Sequence, residues 1–207
     1  MAALRGRATS RVALVVVPLV VFGALAGAVA VGATVPGDRT VYDFLEPYKD
    51  AHSVRYVANV LSGRAIELAA IAVTAATCLV LAVRCRFATA VLVGGSLGAL
   101  LLAQILKDAF DRMPPPIPYA SPHMRGPSFP SGHATLSMAL AAVVLIVVRG
   151  WGRLAVAVAG LLVVTAVGVA AVIAGGHWPS DVVAGWSLAL AWVNVLGLLT
   201  AARRRTA

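Results

Sequence analysis

Six long apolar runs recur along the chain, at 12–34, 65–83, 87–106, 134–148, 154–175 and 182–202, each set off by charges or by Gly- and Pro-rich stretches. Continuous apolar sequence of this length, without the alternation of a half-buried strand, predicts α-helices able to cross a hydrocarbon core about 30 Å thick. The run at 134–148 is short, and residues 130–133 supply its first turn. The pattern therefore predicts an all-α fold, a six-transmembrane-helix bundle forming one membrane domain over residues 1–207. The first run follows Arg5, Arg7 and Arg11 and ends near Ala28-Val29-Ala30, so it also reads as a cleavable leader. Its length favours a retained span.

Two segments break the apolar pattern. In residues 35–63, Val41, Phe44, Leu45, Tyr48, His52, Tyr56, Val57 and Val60 recur at helical spacing. That periodicity predicts an interfacial amphipathic helix, either a lid over a lipid-facing site or a helix resting on the headgroups. Residues 111–130 hold Pro114, Pro115, Pro116, Pro118, Pro122, Pro127 and Pro130, a density that forbids regular helix. With Tyr119, His123 and Arg125 inside it, the stretch from 107 to 133 is a candidate active-site loop.

Composition agrees with a bilayer as solvent: 60% hydrophobic, 12% charged and a mean hydropathy of +0.91. Charge then sets orientation. Arg5, Arg7, Arg11, Arg84, Arg86, Arg149, Arg153, Arg203, Arg204 and Arg205 all fall on one side of a six-span arrangement, with no acidic residue among them. Basic residues near span ends stay cytoplasmic, which places both termini in the cytoplasm. This topology accounts for the net charge of +9, so no nucleic-acid partner is implied. Trp151, Trp178 and Trp186 fit interfacial aromatic belts. Cys78 and Cys85 have neither disulfide nor metal spacing.

Following each helix in its direction gathers four ionisable residues at one depth, opposite the arginine-rich side. Lys107 ends the third span, His133 begins the fourth, His177 ends the fifth and Asp181 begins the sixth. Ionisable groups at such a depth are costly and point to function. Two histidines can divide the roles of nucleophile and general acid, and a carboxylate four residues after one of them can hold its other ring nitrogen. Ser131-Gly132-His133 opens a helix, where free N–H groups and the dipole favour an anion, and Gly132 lets that anion approach closely. With Lys107 as a fixed cation, the set suggests phosphoryl transfer. Singly, each residue has a plainer reading: an interfacial histidine, a snorkelling lysine, a helix cap.

Phe129-Pro130-Ser131-Gly132-His133-Ala134 and Gly176-His177-Trp178-Pro179-Ser180-Asp181, preceded by Lys107, closely resemble the blocks of the type-2 phosphatidic acid phosphatase family. The resemblance implies a metal-independent lipid phosphatase working through a phosphohistidine, with no cofactor. His177 matches the nucleophile, Asp181 its orienting carboxylate and His133 the acid that protonates the leaving oxygen. Ser131, Gly132 and Lys107 match phosphate ligands. Two arginines of the family pattern are replaced: the one following Lys107 by Pro114, and the one six residues before His177 by Ala171, next to Ala170. Each preorganised donor to a developing charge is worth about 10²–10³ in rate, so two uncompensated losses cost on the order of 10⁴–10⁶. Arg112 and Arg125 are the candidate replacements.

The expected function is hydrolysis of a phosphomonoester or pyrophosphate on a phospholipid or polyprenyl carrier, at the non-cytoplasmic face of the cell membrane. A non-catalytic relative that binds a lipid phosphate or assists envelope assembly is the rival reading. A transporter would need inverted repeats and paired broken helices, which the sequence lacks.

Overall fold

The structure, a computed structural model, describes residues 2–49, 51–61, 63, 68, 72, 86–116, 126–148 and 150–206. Seven helices are defined among them: α1 (Ala2–Ala30), α2 (Asp38–Lys49), α3 (His52–Leu61), α4 (Arg86–Phe110), α5 (Gly132–Val147), α6 (Gly152–Ile173) and α7 (Pro179–Thr206). No strand occurs among the described residues. Four helices are long and apolar enough to cross a membrane, over Val12–Ala30, Val93–Phe110, Gly152–Ile173 and Pro179–Leu199; α5 is apolar but shorter. These match five of the six expected runs. The run at 65–83, with Cys78 and Cys85, lies outside the described residues, as do Tyr119, His123 and Arg125.

Helix α7 is the hub, packing on α1, α4 and α5, while α5 bridges to α6. Where α4, α5 and α7 meet, the core is made of Val91, Ala99, Ala139, Val143, Ala189 and Val193. Small side chains suit an apolar solvent, because helix association there relies on close packing and interhelical hydrogen bonds. The Trp192 indole supplies one such bond, donating from Nε1 to the Gly94 carbonyl at 2.8 Å. Helix α1 joins through Phe22, Leu25, Ala26 and Val29, which pack with Phe110, Phe129 and Ala184 close to the second motif.

The amphipathic segment forms two helices rather than one. Tyr42 and Leu45 of α2 turn inward, as do Ala58 and Leu61 of α3 against Ala170, Ile173 and Ala174 of α6. Of the expected apolar stripe, only Leu45 packs this way; Val41, Phe44, Tyr48, Tyr56, Val57 and Val60 are exposed. The physical reason is that lipid is as apolar as the bundle interior, so apolar periodicity marks a face without saying which way it points.

Candidate active site

Local sequence explains how His177 is presented. Helix α6 ends at Ile173, the Ala174 N–H bonds to the Ala170 carbonyl at 2.8 Å, and Gly175 follows with φ of +81°. A left-handed glycine just after a helix end reverses the chain cheaply. Two residues later His177 is buried, immediately before α7 begins. Pro179 opens α7, where its missing N–H costs nothing, and Asp181 reaches back to accept from the Trp178 N–H at 2.7 Å, as in a capping box.

The His177 Nδ1 lies 2.8 Å from the Ser128 carbonyl. A carbonyl can only accept, so Nδ1 carries the proton and Nε2 keeps its lone pair. Burial, above all, pushes the His177 pKa down from 6.5 to about 3; the nearby charges of Lys107 and His133 add to this, and the Ser128 bond opposes it. The imidazole is therefore neutral at neutral pH, as a nucleophile requires. Lys107, at the end of α4, and His133, at the start of α5, lie close enough for their charges to act on His177.

Asp181 occupies a different place from the one its spacing suggested. Its Oδ2 stands 3.9 Å from His177 Nδ1, beyond hydrogen-bond reach, and the Ser128 carbonyl holds that nitrogen instead. The reason is competition: Asp181, wholly buried, is already engaged by the Trp178 N–H and by Arg112, whose Nη1 lies 2.5 Å from Oδ1.

Arg112 ties this region together. Its guanidinium also donates to Ser180 Oγ at 2.8 Å and to Asp38 Oδ2 at 2.7 Å, and it lies 5.7 Å over the Trp178 ring. Its carbonyl accepts from the Ser128 N–H at 2.7 Å, fixing the residue that orients His177. Asp38, the first residue of α2, accepts in turn from Ser180 N at 2.8 Å and Ser180 Oγ at 2.7 Å. The amphipathic segment thus reaches the site through one buried carboxylate. Sequence reasoning missed Asp38, Ser128 and Ser180; only Ser180 carried a signal, from its position inside the third block. Trp178 is built into the site, donating from Nε1 to the Met113 carbonyl at 3.1 Å, and is not merely part of an interfacial belt. Trp186 is likewise internal, packed against the cluster of Ala134, Ala171, Val172 and Val182.

The second block begins α5. Ser131 is fully buried and its Oγ caps the helix by accepting from the Ala134 N–H at 3.4 Å. Its own N–H donates to the Asp181 carbonyl at 3.0 Å, a main-chain bond between the two motif blocks. This closeness depends on Gly185, where a Cβ would lie 2.6 Å from the Ser131 carbonyl oxygen. At Gly132 a Cβ would stand 3.4 Å from Gln104 Nε2, which puts a neutral donor of α4 beside the helix start.

A family model described as the PAP2 superfamily matches residues 88–205, more than half of the chain and all three motif regions. The chain belongs to the PAP2 superfamily. The crystal structure of the first transmembrane PAP2 type phosphatidylglycerolphosphate phosphatase from Bacillus subtilis matches with a TM-score of 0.68 at 19% identity, covering 91% of this chain and 96% of that one. At that identity the likeness shows the shared PAP2 fold. No curated protein matches. Of the two positions where the resemblance leads us to expect arginine, Ala171 is wholly buried among Ala134, Val172 and Val182, and Pro114 is half-buried beside the buried Pro115. Of the two candidate replacements, Arg112 is at the site and Arg125 lies outside the described residues.

Proposed function

We propose that this PAP2 protein is a metal-independent membrane phosphatase that hydrolyses the phosphomonoester or pyrophosphate of a phospholipid or polyprenyl carrier. The observation that carries the reading is His177, a buried neutral imidazole whose Nδ1–H is fixed on Ser128 so that Nε2 is the free base, set among cationic groups. In the first step Nε2 attacks phosphorus and the bond from phosphorus to the lipid oxygen breaks, while His133 gives a proton to that oxygen. In the second, water attacks the phosphohistidine, His133 takes the proton, and inorganic phosphate leaves. Charge on the equatorial oxygens is balanced by Lys107, by the Gly132 N–H where α5 begins, and by Arg112 and Arg125 in place of the family arginines.

Six spans, cytoplasmic termini and a site on the non-cytoplasmic face complete the proposal. The arginine distribution and the depth shared by the four helix ends support them. Purified protein should release phosphate from at least one of phosphatidate, phosphatidylglycerol phosphate and polyprenyl mono- or diphosphate, in the presence of a chelator. His177→Ala should abolish both release and an acid-labile phosphoenzyme. Release from no substrate, or release that needs an added divalent metal, overturns the reading. Single cysteines at positions 40 and 120 should label from outside intact cells.

A further inference from the structure

Among the described residues, two apolar grooves of about 360 Å³ each line the bundle, and one of these two reaches a residue of the proposed chemistry. The groove under α3 is lined by Ser53, Val57 and Ile173, among others, and its described lining includes no histidine, lysine or carboxylate. The other runs between α5 and α6 and has His133 in its wall. His133, Leu140 and Val144 form one stripe down α5, and Val167, Val163, Ala159 and Val156 line the α6 wall in antiparallel order, in the register set by Gly160 against Ala141. From His133 to Val144 is eleven residues of helix, a groove about 16 Å long. Among the described residues that line it, Ser137 is the one other polar side chain.

We propose that this groove takes one hydrocarbon tail of the substrate, headed by His133 and extending toward Val144 and Val156; the proposal rests on the reading of the chain as a lipid phosphatase. Continuity decides the occupant. The residue that protonates the leaving oxygen is also the first residue of the groove, so a lipid attached to that oxygen has its chain directed down the stripe. A tail gains little affinity by leaving a bilayer that is equally apolar. What the groove supplies is alignment, fixing the depth at which the phosphate meets His177, and misplacement by about 1 Å can cost on the order of a hundredfold in rate.

A groove that measures chain length responds to plugs according to their depth. Val163→Phe blocks it roughly five residues of helix, about 8 Å, below His133, since Gly160 packs on Ala141, and Val156→Phe blocks it seven residues, about 10 Å, farther in. Phosphate release is measured on short-, medium- and long-chain phosphatidates and on short and long prenyl phosphates. Val163→Phe should lower kcat/KM for medium and long chains by on the order of a hundredfold relative to the short chain. Val156→Phe should penalise only the long ones. Leu161→Phe, on an exposed face of α6, should leave the chain-length ratios as in the parent. Depth dependence in the acyl or in the prenyl series supports the groove and says which tail it takes; equal loss at every length, or none, overturns it. A readout independent of turnover is photolabelling by a long-chain lipid phosphate with a tail diazirine. Label on α5 and α6 in a protein that releases no phosphate overturns the enzymatic reading and leaves the groove standing. Label that avoids both helices overturns the groove.

Discussion

Helices α5 and α7 begin side by side and use their first turns in opposite ways. The start of α7 is filled with fixed anions: Asp38 accepts from Ser180, Asp181 accepts from Trp178, and Arg112 pairs with both carboxylates. The start of α5 has no acidic residue in its first turn; its own serine caps it, and Lys107 and His133 lie close enough to act on His177. The same partial positive charge thus serves the fold in one place and, on the proposed mechanism, a passing phosphate in the other. The contrast teaches that a motif residue can be structural while its neighbour is chemical, even within one contiguous block.

The most severe way to break this contrast is Arg112→Ala. It leaves two buried carboxylates facing each other without their cation, which should cost about 3–5 kcal/mol of stability. Turnover should fall by on the order of a hundredfold or more as well. Chemical denaturation in detergent and phosphate release measure the two effects, and an unchanged protein would show that the α7 start is not organised by the guanidinium. Asp38→Asn is milder, at about 1.5–3 kcal/mol, since it weakens bonds to one charged partner. Its effect should be non-additive with that of Arg112→Ala in a double-mutant cycle.

His177 gives the next effect. Its folded pKa lies near 3 against 6.5 for the ordinary imidazole, so below pH 6.5 the unfolded chain binds a proton that the folded chain does not. Stability is therefore fully present above 6.5 and falls as the pH drops toward 3, by about 1.4 kcal/mol per unit. His177→Gln should remove that slope, and ¹⁵N spectra should show a neutral ring with Nδ1 protonated down to about pH 5. The smallest change expected is at the α5 cap, where Ser131→Ala should cost about 1 kcal/mol. If Ser131 also touches phosphate, KM will rise in the same variant beyond what the lost cap explains.

The long helices were legible because each is apolar along most of its length: described helices fall on five of the six runs, and four of them are long enough to span. His133, His177 and Lys107 were legible because contiguous blocks and helix direction bring them together. Arg112 was named as a replacement, but its partners were not. Asp38 is 74 residues away in sequence, in a polar connection, and a long-range side-chain pair leaves no local periodicity to read. The place of Ser128 was hidden for a related reason: its contribution is a carbonyl, which every residue has. The direction in which α2 and α3 face was not legible either, since Phe44 and Leu45 are equally apolar and only packing separates them.

The main-chain bond from Ser131 to Asp181 also bears on which substitutions this region can take. Two blocks joined through backbone atoms owe that link to no side chain, so Pro114 and Ala171 leave the bond itself in place. That tolerance ends at Gly185, where even a methyl group would press on the Ser131 carbonyl and wedge the blocks apart. A residue with no side-chain chemistry thus limits how closely the two blocks can be rebuilt.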